Sequence, residues 1–359
     1  MAAGRIRIGV VGCGLISQVM HLPYLAELSD RFELVALCDI APDVAQACGE
    51  RYGVSRVFTR WEELIAEPLD AVLVATSGDH APVVIGAARA GRHVMVEKPL
   101  ALCSSDCELV VDAARDAGVC VLVGTMKRYD PAYERLAELL PGVDDLRLIR
   151  VTTLESPIPP YVGHYPLIER TGKAEQLPPE LEQAEQAAID KAVGAAGEQT
   201  RWCYRRIVVQ TLVHEFNMLG GLLGAPDEIR SVSLTPRCVG INMRFGEVEC
   251  HLSWVSLPGI ARYRQELAFY APAQRLTLQL PSPFLRSMPS RLIVEGGTSG
   301  TAASWERDEV VSYDEAFKRE LVEFSDCVVS GREPRTSAAD GLRDVRLAET
   351  IARADAAGR

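Results

Sequence analysis

Short apolar runs alternate with helix-length segments through the first third of the chain, and the first alternation carries a glycine turn. Arg5–Val11 reads RIRIGVV, a buried-strand run, and Gly12-Cys13-Gly14-Leu15-Ile16-Ser17 follows it at once. A segment with apolar Ile16, Val19, Met20 and Leu22 comes next and reads as a helix. Strand, glycine turn and helix form the arrangement that a dinucleotide pyrophosphate requires. Gly12 permits the tight turn, Gly14 lets backbone approach the phosphates, and the helix N-terminus faces the negative charge. Ser17 stands where the fingerprint has its third glycine and is small enough for close helix–strand packing. Gly12, Cys13, Gly14, Leu15 and Ile16 are the expected contacts to the cofactor.

The next strand, Phe32–Cys38 (FELVALC), ends at Asp39, 25 residues beyond Gly14. That is near the spacing at which an acid meets the adenosine ribose hydroxyls. A carboxylate repels a 2′-phosphate and no arginine follows it directly, so Asp39 and its neighbour Ile40 favour NAD over NADP. The competing role for Asp39 is an N-cap of the helix Pro42–Tyr52.

Strand and helix continue through Trp61–Ala66, Ala71–Ala75, His80–Ala90, His93–Val96, Ser104–Ala117 and Cys120–Gly124. Short connections in such an alternation imply a parallel sheet covered on both faces. Ligands of open α/β sheets sit at the carboxyl ends of the strands. Thr76 and His80 follow one such end, although His80 also suits a helix start without ligand contact. Val94-Met95-Val96-Glu97-Lys98-Pro99 ends another. Proline pushes the residue before it toward extended backbone, which holds Lys98 at the strand's end. A lysine there is a cation, or a proton donor or acceptor if burial lowers its pKa; the plainer alternative is a solvated lysine at a strand stop.

Bulk properties narrow the partners. A chain of 359 residues accommodates two domains. Its 48% hydrophobic and 24% charged residues are those of a globular protein. A net charge of −11 argues against nucleic-acid or anionic-membrane surfaces. No apolar run reaches membrane-spanning length and no signal-like segment opens the chain, so a cytoplasmic location is expected. The ten cysteines are scattered, several in apolar runs, which suggests reduced buried thiols. Cys103 and Cys107 lack a second Cys/His pair, and no metal site is expected.

The segments GVVGCGLIS, CDI, VATSGDH, VMVEKPLA and MKRYDPAY, in this order and spacing, resemble the Gfo/Idh/MocA oxidoreductases. The resemblance implies a Rossmann domain, residues 1–126, followed by a domain of residues 127–359 built on a large, mostly antiparallel sheet. It implies that terminal helices pack back on the Rossmann domain and that the sheet's exposed face serves homo-oligomerisation. Glu97, Lys98 and Arg128 join the expected cofactor contacts on this basis.

After Arg128-Tyr129-Asp130-Pro131 the texture changes. Ala132–Leu140 reads as a helix and Leu146–Leu154 as an alternating strand. The Pro/Tyr/His stretch Ser156–Pro166 and the polar segment Glu175–Gln199 look like an insertion relative to the family. Loops there offer Tyr161 and His164 to a substrate pocket, or form a surface excursion with no such role. A helix over Ile207–Leu223 places Gln210, His214 and Asn217 at i, i+4 and i+7, on one face. Polar residues on an otherwise apolar helix need partners, and a pocket supplies them. In the resembling enzymes a histidine here acts with the lysine of Glu-Lys-Pro, and an aspartate stands four residues before it. His214 matches and Gln210 does not. Gln210 orients the ring without adding charge, so either His214 stays neutral to lower pH than in the aspartate-bearing enzymes or another acid, Glu155 or Glu215, stands in. Strands are expected at Ile229–Cys238, Gly246–Val255, Tyr263–Tyr270 and Gln274–Leu280, and terminal helices at Phe317–Val329 and Gly341–Arg353.

The expected reaction is NAD-dependent oxidation of a secondary alcohol on a sugar, cyclitol or glycoside, with Lys98 and His214 handling the hydroxyl proton. Alternatives keep the fold and hold a recycled NAD, reduce an imine or enone, or sense nucleotide without turnover.

Overall fold

The computed structural model describes residues 4–170, 178–298 and 300–358. Six strands form the first sheet: β1 (Ile6–Val11), β2 (Phe32–Cys38), β3 (Arg56–Phe58), β4 (Ala71–Val74), β5 (His93–Glu97) and β6 (Val121–Gly124). Every pairing is parallel and the order is β3-β2-β1-β4-β5-β6. β4 and β6 are buried along their whole length, as a sheet covered on both faces demands. The order in which strands are added to the sheet reverses between β1 and β4, and ligand crevices of such sheets open at that switch.

The second sheet has eight strands: β7 (Leu148–Glu155), β8 (Glu228–Leu234), β9 (Cys238–Phe245), β10 (Val248–Ser256), β11 (Arg264–Tyr270), β12 (Gln274–Leu280), β13 (Arg291–Gly297) and β14 (Ser304–Val310). Its order is β14-β13-β12-β11-β7-β10-β9-β8, with only β7 and β10 parallel. Along β9, Val239, Ile241, Met243 and Phe245 are buried and alternate with more open positions, which is the period of a sheet packed on one face. One strand of this sheet carries no apolar run: β14 reads the charged SWERDEV. Pairing with β13, rather than hydrophobic pattern, makes it a strand.

The chain divides into two compact units. One holds Met1–Thr125, His164–Gly194 and Phe317–Arg346; the other holds Met126–Gly163, Ala195–Ala316 and Leu347–Arg359. Part of the polar segment, residues 175–177, lies outside the described residues. The rest contains the helix Pro179–Val193, which belongs to the first unit and buries Glu185, Ala188, Ile189, Ala192 and Val193. There a Cβ on Gly78 would stand 2.2 Å from Glu185 Oε1, and Lys191 Nζ lies 3.0 Å from Asp106 Oδ1. Thr336 is also part of this unit, its Oγ1 donating to the Val123 carbonyl of β6 at 2.8 Å. Among the described residues no helix is long and apolar enough to cross a membrane.

Candidate active site

The glycine turn is fixed from three sides within the first unit. Gly12 has φ +98°, and a Cβ there would stand 2.6 Å from the Ala75 carbonyl carbon and oxygen. Only glycine fits this approach of the turn to the end of β4. Gly14 is exposed, with open space where its Cβ would be. Ser17, fully buried, donates its Oγ to the Gly12 carbonyl at 2.5 Å, so it braces the turn as well as packing closely. Cys13 is buried; its N–H donates to Asp39 Oδ2 at 2.8 Å, and Asp39 Oδ1 accepts from Ala41 N–H at 2.9 Å. Helix Pro42–Tyr52 is capped at Ala41 without a side-chain hydrogen bond, so Asp39 is not its N-cap. Leu15 and Ile16 are half-buried and Ile40 is 44% exposed. A tight turn that excludes a side chain at Gly12, an open Gly14 and an acid closing the next strand together fit a dinucleotide.

The chain leaves this turn in a π-helical segment, Ser17–His21, before Leu22–Glu27. Gln18 reads two backbones at once. Its Nε2 donates to the Cys13 carbonyl at 2.8 Å and to the Ile168 carbonyl at 3.0 Å, and its Oε1 accepts from Ile168 N–H at 2.7 Å.

At the end of β5, Lys98 is half-buried and its N–H donates to Glu97 Oε2 at 3.2 Å. Glu97 Oε1 lies 2.8 Å from Nε2 of His21, which is fully buried and stands edge-on to the Phe317 ring. Glu320, also buried, completes a group with His21 and Glu97 whose polar atoms lie within 4.8 Å of one another. Burial pushes the Glu97 carboxyl upward, but the His21 hydrogen bond and the charges of His21, Lys98 and His80 outweigh it, and the carboxyl ends below its ordinary value. Thr76 is half-buried after β4. His80, 2% exposed, has Nδ1 2.6 Å from the Pro99 carbonyl and Nε2 2.9 Å from the Thr76 carbonyl. Both ring nitrogens of His80 are therefore committed to backbone.

In the second unit a continuous helical stretch runs through Glu198–Cys203, a π-helical Tyr204–Leu212 and Val213–Leu223. The wider turns of the π-segment shift the phase that a uniform α-helix would have. Gln210 and His214 are half-buried, whereas Asn217 is fully buried. Asn217 meets Arg128, whose Nη1 lies 3.3 Å from its carbonyl and 3.4 Å from its Oδ1. The Arg128 guanidinium lies against Gly221, where a Cβ would be 2.1 Å from Cζ, and over the Tyr133 ring.

Both stand-in acids take other partners. Glu215 Oε1 accepts from Thr153 Oγ1 and from Gln265 Nε2, each at 2.5 Å. Glu155 accepts from Trp254 Nε1 at 3.4 Å, and burial pushes its carboxyl upward. They accompany a buried lysine, Lys127, whose Nζ donates to Gln265 Oε1 at 2.5 Å and to Tyr263 Oη at 3.2 Å. Burial, with Glu215 and Glu155 nearby, pushes the Tyr263 phenol well up. Tyr161, in this unit, accepts from Tyr263 N–H at 2.5 Å and from Ser156 Oγ at 3.3 Å. His164, in the first unit, is exposed and stacks on Tyr165.

Sequence reasoning passed over Gln18, His21, Lys127 and Gln265. His21 carried a signal, a lone imidazole inside the apolar run VMHLPYL. Lys127 and Gln265 carried none, because a charge beside a turn and an amide in a strand read as surface. Of the cysteines, Cys238 is exposed and Cys120 half-buried, and the rest are buried thiols.

Residues 6–125 match the GFO_IDH_MocA family model, described as an oxidoreductase family with an NAD-binding Rossmann fold. Inositol 2-dehydrogenase of Salmonella typhimurium is 34% identical over 139 residues, 38% of this chain and 41% of that protein. Myo-inositol 2-dehydrogenase of Thermotoga maritima is 32% identical over 159 residues, 43% of this chain and 47% of that protein. The match thus spans less than half the length of these relatives. Over the whole chain the fold is similar to a 3-ketoreductase from Actinomadura kijaniata solved with TDP-benzene and NADP, with TM-score 0.73, 20% identity and 98% of each chain covered. It is equally similar to UDP-N-acetylglucosamine 3-dehydrogenase from Acidithiobacillus ferrooxidans, with TM-score 0.73, 18% identity and 98% of each chain covered. Residues 6–125 are thus similar to the Gfo/Idh/MocA oxidoreductase family, whose matching model is described as an NAD-binding Rossmann fold.

Proposed function

We propose that this protein interconverts a secondary alcohol and a ketone on a cyclitol, sugar or glycoside, with NAD as cofactor. The observation that carries the reading is the braced glycine turn beside the Glu97–Lys98–Pro99 strand end, in a domain of a family of NAD-binding oxidoreductases. Similarity to inositol dehydrogenases supports a cyclitol or related polyol. Bound NAD supplies the site that takes or returns a hydride. Gly12, Cys13, Gly14, Leu15 and Ile16 hold its pyrophosphate end, and Asp39 with Ile40 its adenosine end. A carboxylate at Asp39 disfavours a 2′-phosphate, which supports NAD over NADP.

The chain's own groups manage the proton. Lys98 polarises the oxygen of the reacting carbon, and His214 exchanges the hydroxyl proton with solvent, oriented by Gln210. Glu97 fixes the Lys98 backbone through its own side chain. Tyr161 and His164 stand as substrate-side contacts. Lys98→Met and His214→Ala should each lower polyol oxidation by at least ~100-fold, with NAD affinity measured separately. Unchanged turnover in both would remove these roles. A panel of cyclitols, sugars and glycosides assayed with NAD and NADP tests substrate class and cofactor together; activity confined to an imine or enone would replace the reaction.

A further inference from the structure

His80 makes two contacts that one neutral imidazole cannot satisfy. Its Nδ1 lies 2.6 Å from the Pro99 carbonyl oxygen and its Nε2 2.9 Å from the Thr76 carbonyl oxygen. A peptide carbonyl accepts and never donates, so each contact is a hydrogen bond only if the ring nitrogen carries a proton. The neutral ring has one N–H and would set a lone pair against the other oxygen. With His80 only 2% exposed, a lone pair set against a carbonyl oxygen there is costly.

We propose that His80 is a doubly protonated positioning residue, whose two N–H groups tie the Glu97–Lys98–Pro99 turn to the loop that follows β4. The charges around it fit a cation. Asp79 stands beside it in the same loop, with Asp106 near Asp79, and Glu97 and Lys98 close β5, with His21 against Glu97. Burial pushes the Asp79 carboxyl upward and Asp106 is paired with Lys191, which leaves the Glu97 carboxylate, pulled below its ordinary value in part by His80, as the main counter-charge, and a buried charge requires such pairing. This assigns His80 to the backbone of the Lys98 turn rather than to the cofactor. Loss of one of its protons removes one of the two ties.

The consequence for turnover rests on the proposed role of Lys98; the protonation itself does not. The chain has six histidines, which keeps an imidazole nitrogen spectrum of the ¹⁵N-labelled protein readable. The His80 signals are those missing from His80→Gln, or, should that variant not fold, those correlated through bonds to the His80 backbone. Protons on both nitrogens at pH 7 are expected; one bare nitrogen at that pH would overturn the proposal. In turnover assays His80→Leu should lower kcat by about tenfold or more with NAD affinity held, and His80→Gln, which retains a donor, should lose less. Affinity for NAD falling in step with kcat would make His80 a cofactor contact and overturn the positioning role. If the wild-type protein oxidises no polyol, the proposed reaction fails while the nitrogen spectrum still decides the state of His80.

Discussion

Gly12 has no tolerable substitute, because its φ is positive and the Ala75 backbone occupies the place of a Cβ. Gly12→Ala should cost about 1–3 kcal/mol of strain and weaken NAD binding more than it lowers the melting temperature, as a titration beside a thermal melt would show. Glu97 makes a different prediction. Its folded-state carboxyl lies below its ordinary value, mainly because the His21 hydrogen bond and nearby positive charge overcome burial. A depressed carboxyl contributes stability above its unfolded value, and that contribution is lost as pH falls through the folded one. Glu97→Gln should therefore destabilise the protein at pH 7 by about 1.5–3 kcal/mol, the range for a charged hydrogen bond. Melts across pH 3–7 should also show the variant losing less on acidification than the wild type. Equal acid sensitivity would mean that the Glu97–His21 contact holds no such charge.

At the scale of elements, the helical stretch from Glu198 to Leu223 decides which polar residues stay accessible. Its π-segment ends at Leu212, two residues after Gln210 and two before His214. Both of these remain half-buried, while Asn217 turns to Arg128 in the interior. A carboxylate at position 210 would stabilise the imidazolium of His214. Gln210→Asp should move the acid limb of the pH–rate profile to higher pH, because the proton-accepting form of His214 is then reached later. A profile that keeps its acid limb would show that the two side chains do not interact. Gln18 joins elements in the first unit in a similar way, by hydrogen-bonding both the Cys13 carbonyl and the Ile168 backbone.

For the whole molecule, the eight-stranded sheet carries cross-strand ion pairs such as Arg291–Asp308 and Arg275–Glu295 on half-exposed side chains. Exposed pairs of this kind add little to stability, so breaking one of them tests the expected homo-oligomer without unfolding the sheet. We expect the protein to sediment as a multiple of its 39.2 kDa chain mass, and Arg291→Glu to shift it toward monomer. A single species at the chain mass at micromolar concentration would remove the expected homo-oligomer.

The parallel sheet, the glycine turn and the Glu97–Lys98–Pro99 strand end were legible in the linear sequence. Each depends on neighbours in the chain: β-branched runs, a glycine and a proline act through local sterics. Alternation likewise marked β7, β11 and β12, whereas β14 became a strand only through its pairing with β13. The partners of Asp39, His80, Glu97, Arg128 and Glu215 were decided by tertiary structure. All five meet groups at least 19 residues away, and a hydrogen bond across such a separation leaves no periodic trace. Composition and local pattern specify where strands and turns form; only packing specifies which buried donor faces which acceptor.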